Sequence, residues 1–112
     1  MTFLTGPMYA GKGKYLQKAL NLTPEELSAR AVFHVEEQAA KEENLEDLAD
    51  RLAQYDFVIA NEVGCGVVPM DPEQRRLRER AGRLSCLLAQ RADTVIRVCC
   101  GLPQVLKGEW TC

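Results

Sequence analysis

The feature that most constrains the fold of this sequence is a continuous apolar run, Phe57-Val58-Ile59-Ala60, in which no polar residue marks an exposed face. A strand with this pattern is buried on both faces, as in the interior of a parallel sheet. Two further apolar runs, Thr2 to Thr5 and Thr94 to Cys99, are predicted as strands, and Gly101-Leu102-Pro103 is expected to end the last one. A short β-rich stretch, Ala31 to Val35, is the fourth candidate strand.

Helical patterns separate these runs. Lys12 to Asn21, Asn44 to Gln54 and Pro72 to Arg91 carry apolar residues at helical spacing. Thr23-Pro24-Glu25-Glu26 has the form of a helix start, with a capping threonine and proline at the first position. Alternating strands and helices predict an α/β fold with a mainly parallel sheet of about four strands flanked by helices.

Composition sets bounds on the function. The chain has 112 residues, which predicts a single domain over residues 1–112. A net charge of −2 argues against a nucleic-acid partner, and no apolar run is long enough to span a membrane. The N-terminus lacks the basic flank of a signal peptide. Five cysteines without a C-x-x-C pair indicate reduced thiols, so we expect a cytoplasmic protein with no cysteine-based metal site.

A glycine-rich loop follows the first predicted strand and opens the first predicted helix. It fits G-x-x-x-x-G-K but has Gly13 where the phosphate-loop motif has Ser or Thr. In that motif backbone N–H groups and a helix N-terminus surround a phosphate, and the lysine neutralises phosphoryl charge. The sequence therefore predicts a nucleotide-binding loop. Its residues are Gly6, Pro7, Met8, Tyr9, Ala10, Gly11, Lys12 and Gly13.

A second glycine cluster, N-E-V-G-x-G-x-V-P over residues 61–69, follows the buried run directly. In an open α/β sheet, ligands bind beyond the carboxyl ends of the strands, so Asn61 and Glu62 are candidate site residues. The alternative is an ordinary turn with a solvated Glu62.

These two glycine blocks carry a family resemblance. The chain resembles the adenosylcobinamide kinase/adenosylcobinamide-phosphate guanylyltransferases of cobalamin biosynthesis. The first block runs from Thr5-Gly6 to Gly11-Lys12, and the second contains the N-E-V-G stretch. Further matches follow it in the chain: Arg75, Arg78, Ala81-Gly82-Arg83, Leu88-Ala89, Ala92-Asp93, Gly101 and Lys107. The resemblance implies a P-loop NTPase-like fold, ATP or GTP and adenosylcobinamide as ligands, and a homo-oligomer.

The chain departs from the family pattern in its middle. The segment that carries the family's GMP-accepting histidine and a metal-serving carboxylate looks largely deleted, and Ser85-Cys86 replaces a usual Asn-Gln pair. The only histidine, His34, lies in the second strand-like run and is interpreted as structural. Guanylyl transfer is therefore expected to be lost. Gly13 offers no side-chain oxygen to Mg²⁺, so magnesium is only a weakly supported cofactor, and no metal ligand is assigned.

Roles can be assigned to a few residues. Lys12 is the candidate cation for phosphoryl transfer, and Glu62 is the candidate carboxylate that replaces the lost metal-serving group. Arg75 and Arg78 match the family pattern and are candidates for binding a substrate phosphate. The alternative for the arginine-rich stretch is a solvated face paired with glutamates, and the acidic run from Glu36 to Asp50 is expected on the solvated side of a helix.

Three functions fit these observations. The first is a minimal adenosylcobinamide kinase that uses ATP or GTP. The second is a non-catalytic nucleotide- or corrinoid-binding regulatory paralogue. The third is a small-molecule kinase with a different acceptor.

Overall fold

The computed structural model describes residues 1–7, 11–62 and 71–110. These residues form a five-stranded sheet with helices on both faces. The strands are β1 Thr2–Thr5, β2 Ala31–Val32, β3 Phe57–Ile59, β4 Thr94–Cys99 and β5 Leu102–Lys107. The helices are α1 Lys12–Leu20, α2 Pro24–Arg30, α3 Val35–Ala39, α4 Leu45–Leu52 and α5 Pro72–Arg91.

The sheet has the strand order β2-β3-β1-β4-β5. The strand β1 lies at the centre and is parallel to both β3 and β4, while β2 is parallel to β3. The edge strand β5 is antiparallel to β4. The predicted α/β fold with a mainly parallel sheet is therefore confirmed, and it is consistent with a P-loop NTPase-like arrangement.

The sequence interpretation missed the fifth strand. Gly101-Leu102-Pro103 was expected to end the sheet, but the chain turns at Cys100 and Gly101, whose φ angles are 53° and 73°, and returns as β5. Pro103 is compatible with this strand because β5 is an edge strand, where one backbone N–H can be absent. All six residues of β5 are exposed, so no buried alternation was available to predict it.

The stretch around His34 is also different from the expectation. The strand β2 ends at Val32, and His34 is the N-cap of the short helix α3, with a left-handed φ of 57°. Its side chain is 62% exposed, so it is not packed inside a strand. Short β-branched and aromatic runs do not show where a strand ends, and here the left-handed His34 follows two residues after the last residue of β2.

The acidic run from Glu36 to Asp50 does not form the solvated side of one helix. It is divided between α3 and α4, and α4 begins with Asn44 as N-cap, whose side chain accepts hydrogen bonds from the N–H groups of Glu46 and Asp47. Glu36 has only 10% of its side chain exposed. The correction matters because it places one carboxylate, that of Glu36, in a partly buried position near the ends of β2 and β3 instead of in solvent.

The core has two halves, one on each face of the sheet. Successive strand residues point to opposite faces, so Phe3 packs with α3, α4 and α5, whereas Leu4 packs with α1 and α2. The first half also contains Leu45, Leu48, Leu52, Leu84 and Leu88, and the second contains Leu16, Leu27, Ile59 and Ile96. This cover on both faces explains why β3 is apolar throughout.

Helix α5 spans Pro72–Arg91, as predicted, and the structure adds that Asp71 is its N-cap. The start of α2 is also confirmed, since the Thr23 hydroxyl accepts a hydrogen bond from the N–H of Glu26. Within the described ranges, none of the helices combines the length and apolar character that crossing a membrane requires.

Candidate functional site

A cavity of about 180 Å³ opens where β1, β2 and β3 end on the carboxyl side of the sheet. Parallel strands direct their carboxyl ends to one edge, which is where open α/β sheets bind ligands. The cavity brings residues 11–13 of the predicted loop together with residues at the ends of β2 and β3. The lining residues are Gly11, Lys12, Gly13, Phe33, His34, Ile59 and Asn61.

Lys12 is the first residue of α1 and is buried, with 6% of its surface exposed. Its Nζ donates hydrogen bonds to the carbonyl oxygens of Pro7, at 2.8 Å, and Gly6, at 3.3 Å. Burial lowers the pKa of the Lys12 ammonium, and the nearby carboxylates of Glu36 and Glu62 partly oppose that shift. The ammonium is thus held beside the cavity by neutral carbonyls, without a direct ion pair in the described residues.

Two loop glycines have conformations that explain their place in the motif. Gly11 caps α1 with a left-handed φ of 82°, and Gly6 has a φ of 151°. The Gly6 carbonyl also accepts a hydrogen bond from the N–H of Glu62, at 2.8 Å, which ties the loop to the segment after β3. Met8, Tyr9 and Ala10, which were predicted to bind nucleotide, lie outside the described residues.

Gly13 lines the cavity beside an aromatic ring. A β-carbon placed on Gly13 would lie 3.6 Å from Cε1 of Phe33, an ordinary van der Waals contact. The backbone therefore leaves room for a small side chain at the position where the motif has a hydroxyl.

Asn61 lines the cavity and connects two side chains that the sequence interpretation did not assign to the site. Its backbone N–H donates to Glu36 Oε1 at 2.9 Å, and its Nδ2 donates to Glu36 Oε2 at 3.4 Å. The same Nδ2 lies 3.3 Å from His34 Nδ1. His34 could have been found by the rule that selected Asn61, because it too follows a parallel strand. Glu36 carried no such signal.

Glu62, the predicted catalytic carboxylate, is engaged elsewhere. Its two oxygens accept hydrogen bonds from Arg97 Nε, at 2.7 Å, and Arg97 Nη2, at 3.1 Å. Arg97 lies on β4 opposite Thr5 of β1, so this ion pair crosses the central strands near their carboxyl ends. Glu62 is not among the residues that line the cavity.

The described residues do not supply a direct magnesium site. Position 13 has no side-chain oxygen, and both Glu62 oxygens bind Arg97. Over residues 1–7, 11–62 and 71–110, no group of three or more His, Cys, Asp and Glu side chains is placed to hold a metal ion.

The predicted substrate-binding arginines lie on α5. Arg75 is exposed and Arg78 is half-buried, and neither lines this cavity. Elsewhere on the helix, Arg76 pairs with Glu73 at 2.8 Å, as expected for a solvated face. Arg80 instead donates from Nε to the Ala39 carbonyl at 2.8 Å, and from Nη2 to the Glu42 carbonyl, so it fastens α5 to the end of α3.

Comparison with known proteins agrees with this architecture. A family model described as cobinamide kinase / cobinamide phosphate guanyltransferase matches residues 14–106. The bifunctional adenosylcobalamin biosynthesis protein CobP of Pseudomonas aeruginosa is 42% identical over 53 residues, which is 47% of this chain. That alignment spans 31% of the length of the Pseudomonas protein. The family match covers most of the chain, and the chain belongs to the cobinamide kinase / cobinamide phosphate guanyltransferase family.

Proposed function

We propose that this protein binds ATP or GTP at the cavity and transfers the γ-phosphoryl group to the hydroxyl of adenosylcobinamide. The observation that supports the proposal most directly is the position of Lys12. Lys12 lies in the first turn of α1, in a strand–loop–helix context. Its buried ammonium is beside a cavity at the carboxyl ends of parallel strands.

In this reaction the acceptor oxygen forms a bond to the γ-phosphorus, and the bond from that phosphorus to the bridging oxygen breaks. The nucleoside diphosphate leaves, and the hydroxyl proton passes to solvent. Lys12 has to exchange its carbonyl partners for phosphate oxygens, which is a favourable exchange because a phosphate oxygen carries negative charge and a carbonyl oxygen does not. The N–H groups at the start of α1 add further donors.

The proposal is tested by calorimetry with ATP and GTP, followed by detection of adenosylcobinamide phosphate by mass spectrometry. Binding with formation of the phosphate ester is the expected result. Binding without transfer to any alcohol would support the non-catalytic paralogue, which the Glu62–Arg97 pair and Gly13 favour. Transfer to another alcohol but not to adenosylcobinamide would support a kinase with a different acceptor.

Nucleotide affinity is expected to depend little on magnesium. Mg²⁺ keeps several water ligands in most nucleotide sites, and residue 13 offers it no oxygen. Removal of Mg²⁺ with a chelator should change the dissociation constant of ATP by less than tenfold, or about 1.4 kcal/mol. Turnover should be slow, because phosphoryl transfer depends on geometry.

The variant Gly13→Ser should increase that magnesium dependence, because a serine hydroxyl can bind the ion and the β-carbon meets only the edge of Phe33. Gly82→Ser, on the exposed face of α5, is the matched control. Fast, strictly magnesium-dependent phosphorylation by the unmodified protein would contradict the expectation.

Guanylyl transfer is expected to be absent. After incubation with GTP and denaturation, intact-mass spectrometry should show the unmodified chain only. The single histidine makes the result easy to assign, because a covalent guanylyl group on His34 would be located by peptide mapping. Such an adduct would show that the family's second activity has been retained.

The remaining features of the proposal follow from the family. A corrinoid partner and a homo-oligomer are proposed on that basis. The cytoplasm is the proposed location, and the free thiols of Cys86, Cys99 and Cys100 are compatible with a reducing compartment.

A further inference from the structure

His34 lies at the cavity in a conformation that few side chains adopt without strain. Its φ is 57°, in the left-handed region, and the residue lines the cavity together with Gly11, Lys12 and Asn61. Strained residues of this kind are found often at functional sites. The ring is 62% exposed, so packing against the core does not account for its position.

The hydrogen bonds around Asn61 determine which ring nitrogen of His34 carries the proton. The carboxylate of Glu36 can only accept hydrogen bonds, so the group of Asn61 that approaches its Oε2 at 3.4 Å is the donor Nδ2. This contact fixes the orientation of the Asn61 side-chain amide. The same Nδ2 lies 3.3 Å from His34 Nδ1, and a donor there requires Nδ1 to be the acceptor.

In a neutral imidazole with an accepting Nδ1, the hydrogen is on Nε2. Nε2 has no hydrogen-bond partner among the residues that the structure describes, and the distance of 3.9 Å from Nδ1 to Glu36 Oε2 is too long for a competing hydrogen bond. In this neutral form the ring carries an N–H donor at Nε2 and cannot accept a proton there, and the residue that carries it lines the cavity.

We propose that His34 is a phosphate-binding residue, whose Nε2–H donates a hydrogen bond to a phosphate oxygen of the nucleotide. This rests on the proposed nucleotide binding, and it replaces the sequence-based interpretation of His34 as structural. Lys12 and the N-terminus of α1 supply donors from the β1 side, and His34 supplies one from the β2 side. Asn61 and Glu36 act as positioning residues that hold the ring in its Nε2–H form.

The proton position is tested directly by ¹⁵N NMR of the free protein. The chain has a single histidine, so its two ring nitrogens are assigned without ambiguity. We expect a protonated Nε2 and an unprotonated Nδ1, and the reverse pattern would overturn the proposal. Glu36→Gln should populate the other form, because a glutamine amide can also donate and no longer orients Asn61. Glu37→Gln, exposed on the same helix, should leave the pattern unchanged.

Phosphate contact is tested by titrating the protein with ATP. The Nε2 resonance should shift on binding, and His34→Gly should weaken ATP binding by about tenfold, since the lost hydrogen bond is to a charged oxygen. Glycine accepts the left-handed backbone, so this variant keeps the fold, and His34→Asn provides a second variant that tolerates the same φ but has a shorter side chain.

The proposal for His34 would be overturned if the unmodified protein and both His34 variants bound ATP with equal affinity. If Lys12→Ala still bound ATP more weakly, the proposed nucleotide binding would stand. Failure of the proposed function looks different, because the unmodified protein would then not bind ATP, and the His34 proposal would fail with it. A covalent nucleotide on His34 would also overturn it, since the ring would then act as a nucleophile.

Discussion

Replacing Lys12 with alanine is expected to weaken ATP or GTP binding by one to two orders of magnitude. The ammonium lies beside the cavity, and its hydrogen bonds to two carbonyls can be exchanged for bonds to phosphate. A hydrogen bond between charged groups contributes roughly 1.5–3 kcal/mol, which is about 10- to 100-fold in the dissociation constant. Isothermal calorimetry of the two proteins with each nucleotide measures the difference.

The matched control for this measurement is Lys14→Ala. Lys14 lies two residues further along α1 and is exposed, so its removal changes the net charge equally without altering the cavity. Its effect on affinity should be small, because an exposed charge outside the site is screened by solvent and salt. If both variants bind as tightly as the unmodified protein, the nucleotide site lies elsewhere and the loop is only a structural connection.

Replacing Gly6 with alanine is expected to lower the free energy of unfolding by about 3 kcal/mol or more, because two backbone segments cannot separate to admit a methyl group. An added β-carbon would lie 2.1 Å from the Val98 carbonyl oxygen and 3.2 Å from its carbonyl carbon. Both atoms belong to the main chain of β4, which is paired to β1, and Gly6 has a φ of 151° that side chains disfavour. Urea unfolding followed by circular dichroism measures the loss.

Gly82→Ala is the comparison for Gly6→Ala. Gly82 lies inside α5 with no atom within 4 Å of an added β-carbon, so alanine should stabilise the protein by about 0.5–1 kcal/mol through its higher helix propensity. Substitution by alanine is thus expected to lower the free energy of unfolding at Gly6 and to raise it at Gly82. A Gly6→Ala variant with the urea midpoint of the unmodified protein would show that β1 and β4 can move apart at this point.

Much of the candidate site was predictable because it depends on local sequence. The loop glycines, Lys12 and Asn61 were selected from their place at the ends of apolar runs, and Gly11, Lys12 and Asn61 do line one cavity. The reason is general, since parallel strands bring their carboxyl ends to one edge whatever the order of the strands. Residues that reach the site through long-range contacts were not predictable in this way.

Glu36 shows that limit clearly. In the sequence it is one member of an acidic run, with nothing to separate it from its exposed neighbour Glu37. Its orientation toward Asn61, 25 residues away, follows from where α3 starts and from the pairing of β2 with β3. Glu62 was singled out from the sequence, but its partner could not be predicted. Its position after β3 was predicted, but its ion pair with Arg97 depends on β4 lying beside β1, which the order of elements along the chain does not specify.

By itself, the sequence determined the α/β class, the spans of β1, β4 and α5, the position of the glycine-rich loop and the family, because these depend on periodicity, breakers and motif spacing over short stretches. The tertiary structure alone decided the strand order, the exposed strand β5, the partial burial of Glu36 and the arrangement of His34 and Asn61. Those features arise from contacts between residues far apart in the chain. They depend on which strands become neighbours and on single left-handed residues such as Cys100 and His34, for which hydrophobic patterning has no signal.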